Sequence, residues 1–434
     1  MAGKHRPIKL HVPGGKHLRV RDLLTHFGKI DTLGKNDRHR SAGEILEHDV
    51  LHGTLQIIGL AGLCTVYNAP VRQGQYGRDA GVCSMMDFQR IGIWQTAFLG
   101  DAVLTLPLIQ AIKAQFPAAE VHLFVRAGVE GLFTSQRELT SVRPFAKRGA
   151  QKNIFAAPKL GKELALEGFD LWISPHKSLR SALVARAVGA PMRIGYDAPW
   201  FNWLAYTHLV DRRFDEVDEV ERLMQLAGPL GLSTTAPKPR LDLPPQAVAR
   251  AAEIFAAFPA EAKSGPILGI HPGSTWPTKC WPVEHFAAVA KTALEAGLTV
   301  VLFAGPGEEP LAGRIAQLAA TPATAPRLVN LAGKLPLPVT AAALPHLSAY
   351  LTNDSGPMHL AWVQDVPLVA LFGPTVRQLG FFPRGPNSRV LEADLDCRPC
   401  GLHGHKACPK KHHACMRNIT PERAWESLRG LMGL

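Results

Sequence analysis

The sequence predicts an α/β protein made of two halves of similar size that face a cleft. From Phe88 onward, short apolar segments typical of buried strands alternate with segments of helical period. Such alternation predicts parallel sheets covered by helices. A proline-rich segment, residues 233–245, separates two series of this kind, as expected of a connection between domains. With 46% apolar residues in a 434-residue chain, both halves have enough apolar residues to form a hydrophobic core.

The first half alternates regularly over residues 87–235. Pro117 stops the first long helix, and Pro107 inside it should kink that helix or shift its start. The predicted strands are Arg90–Gln95, Val121–Val125, Phe169–Ser174 and Arg193–Gly195, and the predicted helices are Ala102–Gln115, Leu179–Val188 and Val217–Leu226.

The second half repeats the pattern over residues 263–434, after a linker and connecting helix at residues 236–262. A Cys-rich loop at residues 397–415 lies near its end. The predicted strands are Ile267–His271, Thr299–Phe303, Ala349–Thr352 and Leu368–Phe372, and the predicted helices are Val283–Glu295, Leu311–Ala319 and Met358–Gln364.

Residues 1–86 differ from the rest of the chain. They contain twelve Lys and Arg against seven Asp and Glu, and their periodicity is poor. One hypothesis is that translation starts at Met85 or Met86 and that the upstream residues are a gene-model error. The alternative is a basic, largely disordered arm.

Charge and composition favour a cytoplasmic enzyme with an acidic partner. The net charge is +12 and the pI about 9.5, which suits a nucleotide, a phosphorylated glycan or an acidic membrane surface. We find no apolar run long enough for a membrane span and no secretory signal, and the seven cysteines are too few for a secreted disulfide scaffold. Nucleic acid is disfavoured because aromatic residues make up only 7% and no basic–aromatic stripe occurs.

The segment from residue 353 to residue 375 predicts a phosphate-binding turn between two strands. Asp354 and Ser355 are favoured N-cap residues, Gly356 lets a ligand approach the backbone, and Pro357 suits the first helical position. The start of a helix offers free N–H groups and positive dipole to an anion. An ordinary strand-to-helix turn would have the same residues.

Two further turns contain polar residues of the same kind. Asp101 follows the first strand, at the carboxyl edge where α/β sheets bind ligands, although aspartate is also a favoured helix cap. In the second half, the hydroxyls of Ser274 and Thr275 can donate to phosphate oxygens, and Lys279 offers a point charge unless it is a solvated loop lysine. The carboxylate of Glu308 can accept ribose or sugar hydroxyls, or point to water.

Four cysteines crowd the C-terminal loop, at Cys397, Cys400, Cys408 and Cys415. One interpretation is a structural zinc or iron site with four thiolate ligands, which the two-residue spacing of the first pair would suit. The alternatives are reduced thiols in a small packed loop, or a disulfide pair. The second pair is separated by six residues, which is not the usual spacing of a zinc site.

Four motifs together resemble family 9 glycosyltransferases, the ADP-heptose:lipopolysaccharide heptosyltransferases. They are LGDAVLTLPLI from residue 99, SLRSALVARAVGAPMRIGYD from residue 178, HPGSTWPTKCWP from residue 271, and NDSGPMHL through FGPT from residue 353. The resemblance covers Phe88 to about Leu434 and implies a GT-B fold, in which two Rossmann-like domains enclose the active site. The N-terminal domain would face the acceptor, and the C-terminal domain would bind the nucleotide sugar.

The resemblance also implies roles for individual residues. Asp101 would be the catalytic base, Lys279 would neutralise the departing diphosphate, and Arg180 would face the acidic acceptor sugars. The donor would be bound by Ser274, Thr275, Glu308, Asp354, Ser355, Gly356, Pro357, Met358 and His359.

The resulting hypothesis is an inverting transfer of heptose from ADP-L-glycero-D-manno-heptose to the inner core of lipopolysaccharide, on a Kdo-lipid A type acceptor. The enzyme would be cytoplasmic, with peripheral contact to the inner membrane. A helix start plus Lys279 offers a metal-free way to neutralise the diphosphate, so no cofactor is expected for catalysis. The alternatives are a heptosyltransferase with a protein acceptor and a non-catalytic protein that binds a nucleotide sugar.

Overall fold

Parallel sheets dominate the part of the chain that the computed structural model describes, which comprises residues 9–11, 17–19, 87–146 and 153–434. The chain divides into two units, residues 1–78 and 79–434. In the first unit, two three-residue strands, β1 (Lys9–His11) and β2 (His17–Arg19), pair antiparallel. The rest of the predicted N-terminal extension, including Met85 and Met86, lies outside the described residues.

A six-stranded parallel sheet forms the first half of the second unit, in the order β5-β4-β3-β6-β7-β8. Ile91 and Ile93 of the central strand β3 pack into one core cluster, and Trp94 packs into another. Because neighbouring side chains on a strand point to opposite faces, both faces of this sheet are buried. The strands are β3 (Arg90–Gln95), β4 (Glu120–Arg126), β5 (Ser141–Phe145), β6 (Leu171–Ser174), β7 (Met192–Tyr196) and β8 (His208–Val210).

The helices of this half include a break that the sequence predicts. The stretch predicted as one helix over residues 102–115 is two helices that meet at Thr105, with Pro107 at the second position of the latter. Proline lacks the N–H that a continuous helix would need, so a new helix starts there. The helices are α1 (Leu99–Leu104), α2 (Leu106–Gln115), α3 (Ala156–Ala165), α4 (Leu179–Val188) and α5 (Glu219–Met224).

The second half repeats the architecture, with strand order β11-β10-β9-β12-β13-β14. After the connecting helix α6 (Pro245–Ala256), its strands are β9 (Ile267–His271), β10 (Thr299–Leu302), β11 (Leu328–Asn330), β12 (Ala349–Asn353), β13 (Leu368–Phe372) and β14 (Ser388–Glu392). Its helices are α7 (Val283–Glu295), α8 (Glu309–Ala319), α9 (Leu337–Ala343), α10 (Gly356–Val363), α11 (Ala414–Arg417) and α12 (Pro421–Met432).

Both sheets have the order of a Rossmann fold, 3-2-1-4-5-6 when each half is counted from its first strand. The predicted α/β fold with two Rossmann-like domains is therefore confirmed. Ligands of such sheets bind beyond the carboxyl ends of the strands, where the order reverses. In this molecule those points lie between β3 and β6 and between β9 and β12. The predicted domain limits at residues 235 and 263 stay predictions.

The two halves share buried contacts. One core cluster contains residues of both sheets, among them Ile93 and Phe372. The guanidinium group of Arg222, on α5, donates to the carbonyl oxygen of Leu379 at 2.6 Å. Arg384 of the second half forms ion pairs with Asp218 and Glu221 of the first. Apolar packing and buried charges together hold the halves across the cleft.

Candidate active site

A cavity of about 750 Å³ opens between the two halves. It lies beyond the carboxyl ends of β3, β9 and β12, where the strand order of each sheet reverses. The first half contributes Phe98 to Asp101 and Arg126 to Val129 to its lining. The second half contributes most of the rest, including the segments that the sequence singles out for phosphate binding.

The start of α10 faces this cavity. Ser355 is the N-cap, Gly356 is the first helical residue, and Pro357 follows at the second position. The helix therefore begins two residues earlier than predicted, and proline occupies the second position rather than the first. Ser355, Gly356 and Pro357 line the cavity. Because the first turn of a helix has free N–H groups, this end of the cavity suits an anion.

A buried ion pair lies beside that helix start. Lys279 Nζ is 2.6 Å from Asp354 Oδ2, and the hydroxyl of Thr375 donates to the same oxygen at 2.6 Å. Lys279 and Asp354 are only 9% and 6% exposed. The positive charge predicted to neutralise the diphosphate is thus balanced by the carboxylate predicted to bind the sugar.

On the opposite side, Asp101 is the third residue of α1 and lines the cavity. Its carboxylate accepts a hydrogen bond from the backbone N–H of Phe98 at 3.1 Å, so it does cap the helix. Burial, together with a smaller contribution from the negative charge of Glu219, raises the pKa of Asp101 from 3.8 to about 6. A carboxyl group with this pKa is largely ionised at neutral pH and remains a competent proton acceptor.

The helix starts of the two halves touch at the middle of the cleft. A Cβ at Gly100 would lie 2.6 Å from the ring of His359, and a Cβ at Gly356 would lie 3.0 Å from Leu99. Burial lowers the pKa of His359 to about 4, so its imidazole is neutral at physiological pH. Only glycine permits these two approaches.

Glu308 closes another side of the cavity. Its carboxylate accepts a hydrogen bond from Gly305 N–H at 2.9 Å and lies 3.7 Å from His271 Nε2. A Cβ at Gly273 would meet this carboxylate at 2.1 Å. Glu308 therefore points into the site rather than to bulk water, in keeping with its predicted contact with sugar or ribose hydroxyls.

Most of the predicted site residues come together. Those that line the cavity are Asp101, Ser274, Thr275, Lys279, Glu308, Asp354, Ser355, Gly356, Pro357 and His359. Met358 is fully buried and donates its N–H to the carbonyl of Ser355 at 3.2 Å, so the described structure does not offer it to a ligand. Arg180 lies on α4, outside the cavity lining. Its acceptor role stays a prediction.

The four cysteines of the Cys-rich loop, residues 397–415, are free thiols. Burial raises the pKa of Cys415 to about 11, with smaller contributions from Cys400, Cys408 and Cys397. Among the described residues, however, no group of three or more His, Cys, Asp or Glu side chains is arranged to hold a metal ion. The thiols as placed do not fit a metal centre, and the zinc or iron site stays a prediction.

Several residues of the cavity were not singled out from the sequence. Thr375 ends the FGPT motif, and its role as a partner of Asp354 depends on a contact across 21 residues. Phe98 precedes the LGD motif and Trp276 follows Thr275, so both adjoin, in sequence, residues that are predicted to belong to the site. His403 comes from the Cys-rich loop, and no sequence signal linked that loop to the cavity.

Two Rossmann-like halves, with a carboxylate on one side of the cleft and an anion-binding helix start on the other, define a glycosyltransferase of the GT-B class. The chain belongs to glycosyltransferase family 9, described as heptosyltransferases. The profile of that family matches residues 157–412, more than half of the chain.

Individual relatives agree with the family. Lipopolysaccharide heptosyltransferase 2 of Salmonella typhimurium is 28% identical over 347 residues, 77% of this chain and 96% of that protein. The solved structure of Escherichia coli ADP-heptose LPS heptosyltransferase II is similar with a TM-score of 0.64 and 26% identity, covering 79% of this chain and 98% of that one. A family 9 glycosyltransferase from Veillonella parvula DSM 2008, 22% identical, has a TM-score of 0.70 over 80% of this chain and 98% of its own, and supports the fold alone.

Proposed function

We propose that the protein transfers heptose, with inversion, from ADP-L-glycero-D-manno-heptose to the inner core of lipopolysaccharide. The observation that carries the proposal is that Asp101 and the Lys279–Asp354 pair line one cavity from opposite halves of the molecule. The donor and acceptor classes come from the relatives, two of which are named as heptosyltransferases of lipopolysaccharide.

In the proposed reaction, Asp101 accepts the proton of an acceptor hydroxyl. The hydroxyl oxygen forms a bond to the anomeric carbon as the bond from that carbon to the diphosphate oxygen breaks. The electron pair leaves with ADP, whose negative charge is met by Lys279 and the N–H groups at the start of α10. Attack from the side opposite the diphosphate inverts the configuration at the anomeric carbon.

In the proposed reaction, binding of the donor rearranges the ion pair between Lys279 and Asp354. The diphosphate competes with Asp354 for Lys279, which frees the carboxylate to accept hydroxyls of the sugar. Thr375 keeps a hydrogen bond on Asp354 throughout, so the carboxylate does not become a buried charge without a partner. This exchange explains how one ion pair can perform both of the predicted roles. It requires no metal cofactor.

The acceptor class implies work at a cytoplasmic membrane surface. No helix within the described ranges is long and apolar enough to cross a membrane. Trp200 and Trp203 are 63% and 61% exposed on the turn after β7, at the same sheet edge as Asp101. Tryptophan favours the membrane–water interface, and the net charge of +12 suits anionic headgroups. These features support peripheral contact with the inner membrane near the acceptor side.

Sedimentation with vesicles of anionic and of zwitterionic lipid tests this contact. We expect binding to the anionic vesicles, reduced severalfold in the double variant Trp200→Ala/Trp203→Ala. Leu166→Ala is the matched control, because Leu166 is 90% exposed at the end of α3, on the opposite edge of the sheet. Equal binding by the double variant and the control would contradict the proposed face.

Incubation of the purified enzyme with ADP-heptose and a truncated core acceptor, followed by mass spectrometry, tests the transfer itself. The expected product is heavier than the acceptor by one heptosyl residue. Transfer only from a different nucleotide sugar would overturn the donor. Transfer to a surface protein but not to the core would favour the alternative acceptor, whereas binding without any transfer would favour a non-catalytic role.

A further inference from the structure

His403 is a cavity residue that the proposed reaction does not use. It lies at the tip of the Cys-rich loop, and its side chain is exposed to the cavity. Within the described residues its ring makes two aromatic contacts, and neither ring nitrogen is hydrogen-bonded to another residue. An imidazole with both nitrogens available in a ligand cavity has the chemistry of a recognition group.

The ring of His403 is held in a fixed position between the two halves of the molecule. It stacks on Trp276, with centroids 6.1 Å apart and planes within 5° of parallel. On the side of the first half, Phe98 contacts it edge-on at 6.2 Å and 65°. A side chain held by two aromatic contacts loses little further freedom when it binds a ligand.

The loop behind His403 is tied to the segment that contains Lys279. His405 N–H donates to the hydroxyl oxygen of Thr278 at 2.7 Å, and that hydroxyl donates to the His405 carbonyl at 2.9 Å. The His413 ring contacts the carbonyl of Thr278 at 2.8 Å. Consequently the distance between His403 and Lys279 is fixed by hydrogen bonds rather than by a mobile loop.

The position of the transferred sugar follows from the groups that act on its two ends. Its anomeric carbon must lie between the acceptor hydroxyl at Asp101 and the diphosphate at Lys279. Phe98 precedes Asp101 by three residues, Trp276 precedes Lys279 by three residues, and His403 lies between these two aromatic rings. His403 lines the same cavity as Lys279 and Asp354, and the charges of both act on its imidazole, so a sugar bound between these groups would lie near its ring.

The electrostatic surroundings suit a sugar hydroxyl. Burial lowers the pKa of His403, Lys279 lowers it further, and Asp354 partly opposes this. The imidazole is consequently neutral at physiological pH, with one nitrogen that donates and one that accepts. A sugar hydroxyl can accept a hydrogen bond from the first nitrogen or donate one to the second.

We propose that His403 hydrogen-bonds a hydroxyl group of the transferred sugar. This inference rests on the proposed function, because it concerns the same donor. It makes the Cys-rich loop part of the donor site, in addition to any structural role of its thiols.

Calorimetric binding of ADP-heptose and ADP to His403→Ala, together with kinetics, tests the proposal. We expect kcat/KM and the affinity for ADP-heptose to fall about tenfold or more, as for the loss of a hydrogen bond to a sugar hydroxyl. The affinity for ADP should stay within about threefold of wild type, because no diphosphate contact is lost.

Two further variants separate recognition from a structural role. His403→Gln keeps a donor and an acceptor and should recover part of the lost affinity for ADP-heptose. His412→Ala is the matched control, since this exposed histidine of the same loop lies outside the cavity lining and bonds only the N–H of Ala414. It should behave as wild type.

An unchanged preference for ADP-heptose over ADP in His403→Ala would overturn the inference. So would a loss of ADP affinity as large as the loss for ADP-heptose, because the loop would then merely support Lys279. The binding comparison does not require turnover. If the wild-type enzyme binds ADP-heptose but does not transfer it, the proposed function fails and the binding data still decide the role of His403.

Discussion

The carboxyl group of Asp101 titrates at a higher pH than an ordinary aspartate, because it is buried and lies near the negative charge of Glu219. The neutral form favours the folded state below pH 3.8, and this contribution to stability is lost as the pH rises through about 6. Catalysis needs the opposite form, the carboxylate. Stability and activity therefore depend on this group in opposite directions.

We predict that kcat/KM of the wild-type enzyme falls below about pH 6, as Asp101 becomes protonated. Asp101→Asn should lower kcat about 10²–10⁴-fold, the usual contribution of a general base, with donor affinity nearly unchanged. Steady-state kinetics over pH 4.5–8.5 and calorimetry with ADP measure the two effects. Normal turnover by Asp101→Asn would refute the assignment of the base.

Glu219→Gln tests independently whether the charge of Glu219 contributes to the raised pKa of Asp101. The variant removes the negative charge that raises the pKa of Asp101. The fall of kcat/KM at acidic pH should therefore move to lower pH. Glu216→Gln is the control, since Glu216 is 59% exposed and paired with Arg213 instead. An acid limb that stays in place in Glu219→Gln would mean that a different group titrates.

Lys279 and Asp354 lend themselves to a test that separates stability from function. Lys279→Met should destabilise the fold by about 3–5 kcal/mol, because the buried Asp354 carboxylate loses its cation and keeps only the hydrogen bond from Thr375. The double variant Lys279→Met/Asp354→Asn should recover most of that loss, but none of the transfer activity. Urea denaturation and the transfer assay measure the two quantities. Recovery of activity along with stability would contradict the proposed roles.

At the scale of elements, the contact between α1 and α10 depends on two glycines. A methyl group at Gly100 would overlap the ring of His359, so Gly100→Ala should destabilise the protein by about 1–3 kcal/mol and displace Asp101. Gly313→Ala is the matched control. Gly313 is exposed inside α8 with free space around the added carbon, so alanine there should stabilise by about 0.5–1 kcal/mol. Thermal melts of both variants measure the change in stability, and their kcat values show whether Asp101 has been displaced.

The sequence predicts the buried elements better than the exposed ones. The limits of β3, α4 and α7 match the prediction because buried apolar residues recur through each of them. The edge strands β5 and β8 were missed, since both are short and only partly buried. A periodic apolar pattern reports burial, and an edge strand has little of it.

The site residues also divide into those that the sequence predicts and those that it does not. Residues on turns directly after central strands, such as Asp101 and Asp354, could be located because parallel strands end at one edge. His403 and Thr375 could not, since they reach the cavity through loops whose course depends on tertiary contacts. The Lys279–Asp354 pair also joins residues 75 positions apart, which a single sequence does not reveal.

At the scale of the whole molecule, Arg222 joins the halves. Its guanidinium group pairs with Glu219 at 3.1 Å and donates to Leu379 O at 2.6 Å and Phe214 O at 2.5 Å. Arg222→Met should destabilise the protein by about 3–5 kcal/mol, because buried acceptors lose their donor. Urea denaturation measures this loss.

Arg250→Met is the control for this effect. Arg250 pairs with Glu253 within α6, and both side chains are more than half exposed, so we expect no measurable change in stability. Equal midpoints for Arg222→Met and Arg250→Met would mean that the apolar core alone holds the halves together.

The touching helix starts of α1 and α10 have a mechanical consequence. If the halves rotate to admit substrates, this contact is the natural pivot, because each glycine backbone packs directly against a side chain of the other helix start, His359 or Leu99. Asp101 follows Gly100 directly, about 3.8 Å away along the chain. A rotation of about 15° would then move Asp101 by only about 1 Å, while the cleft rim, with its longer lever arm, swings several times farther. The cleft can therefore open widely while Asp101 stays almost in place beside the start of α10.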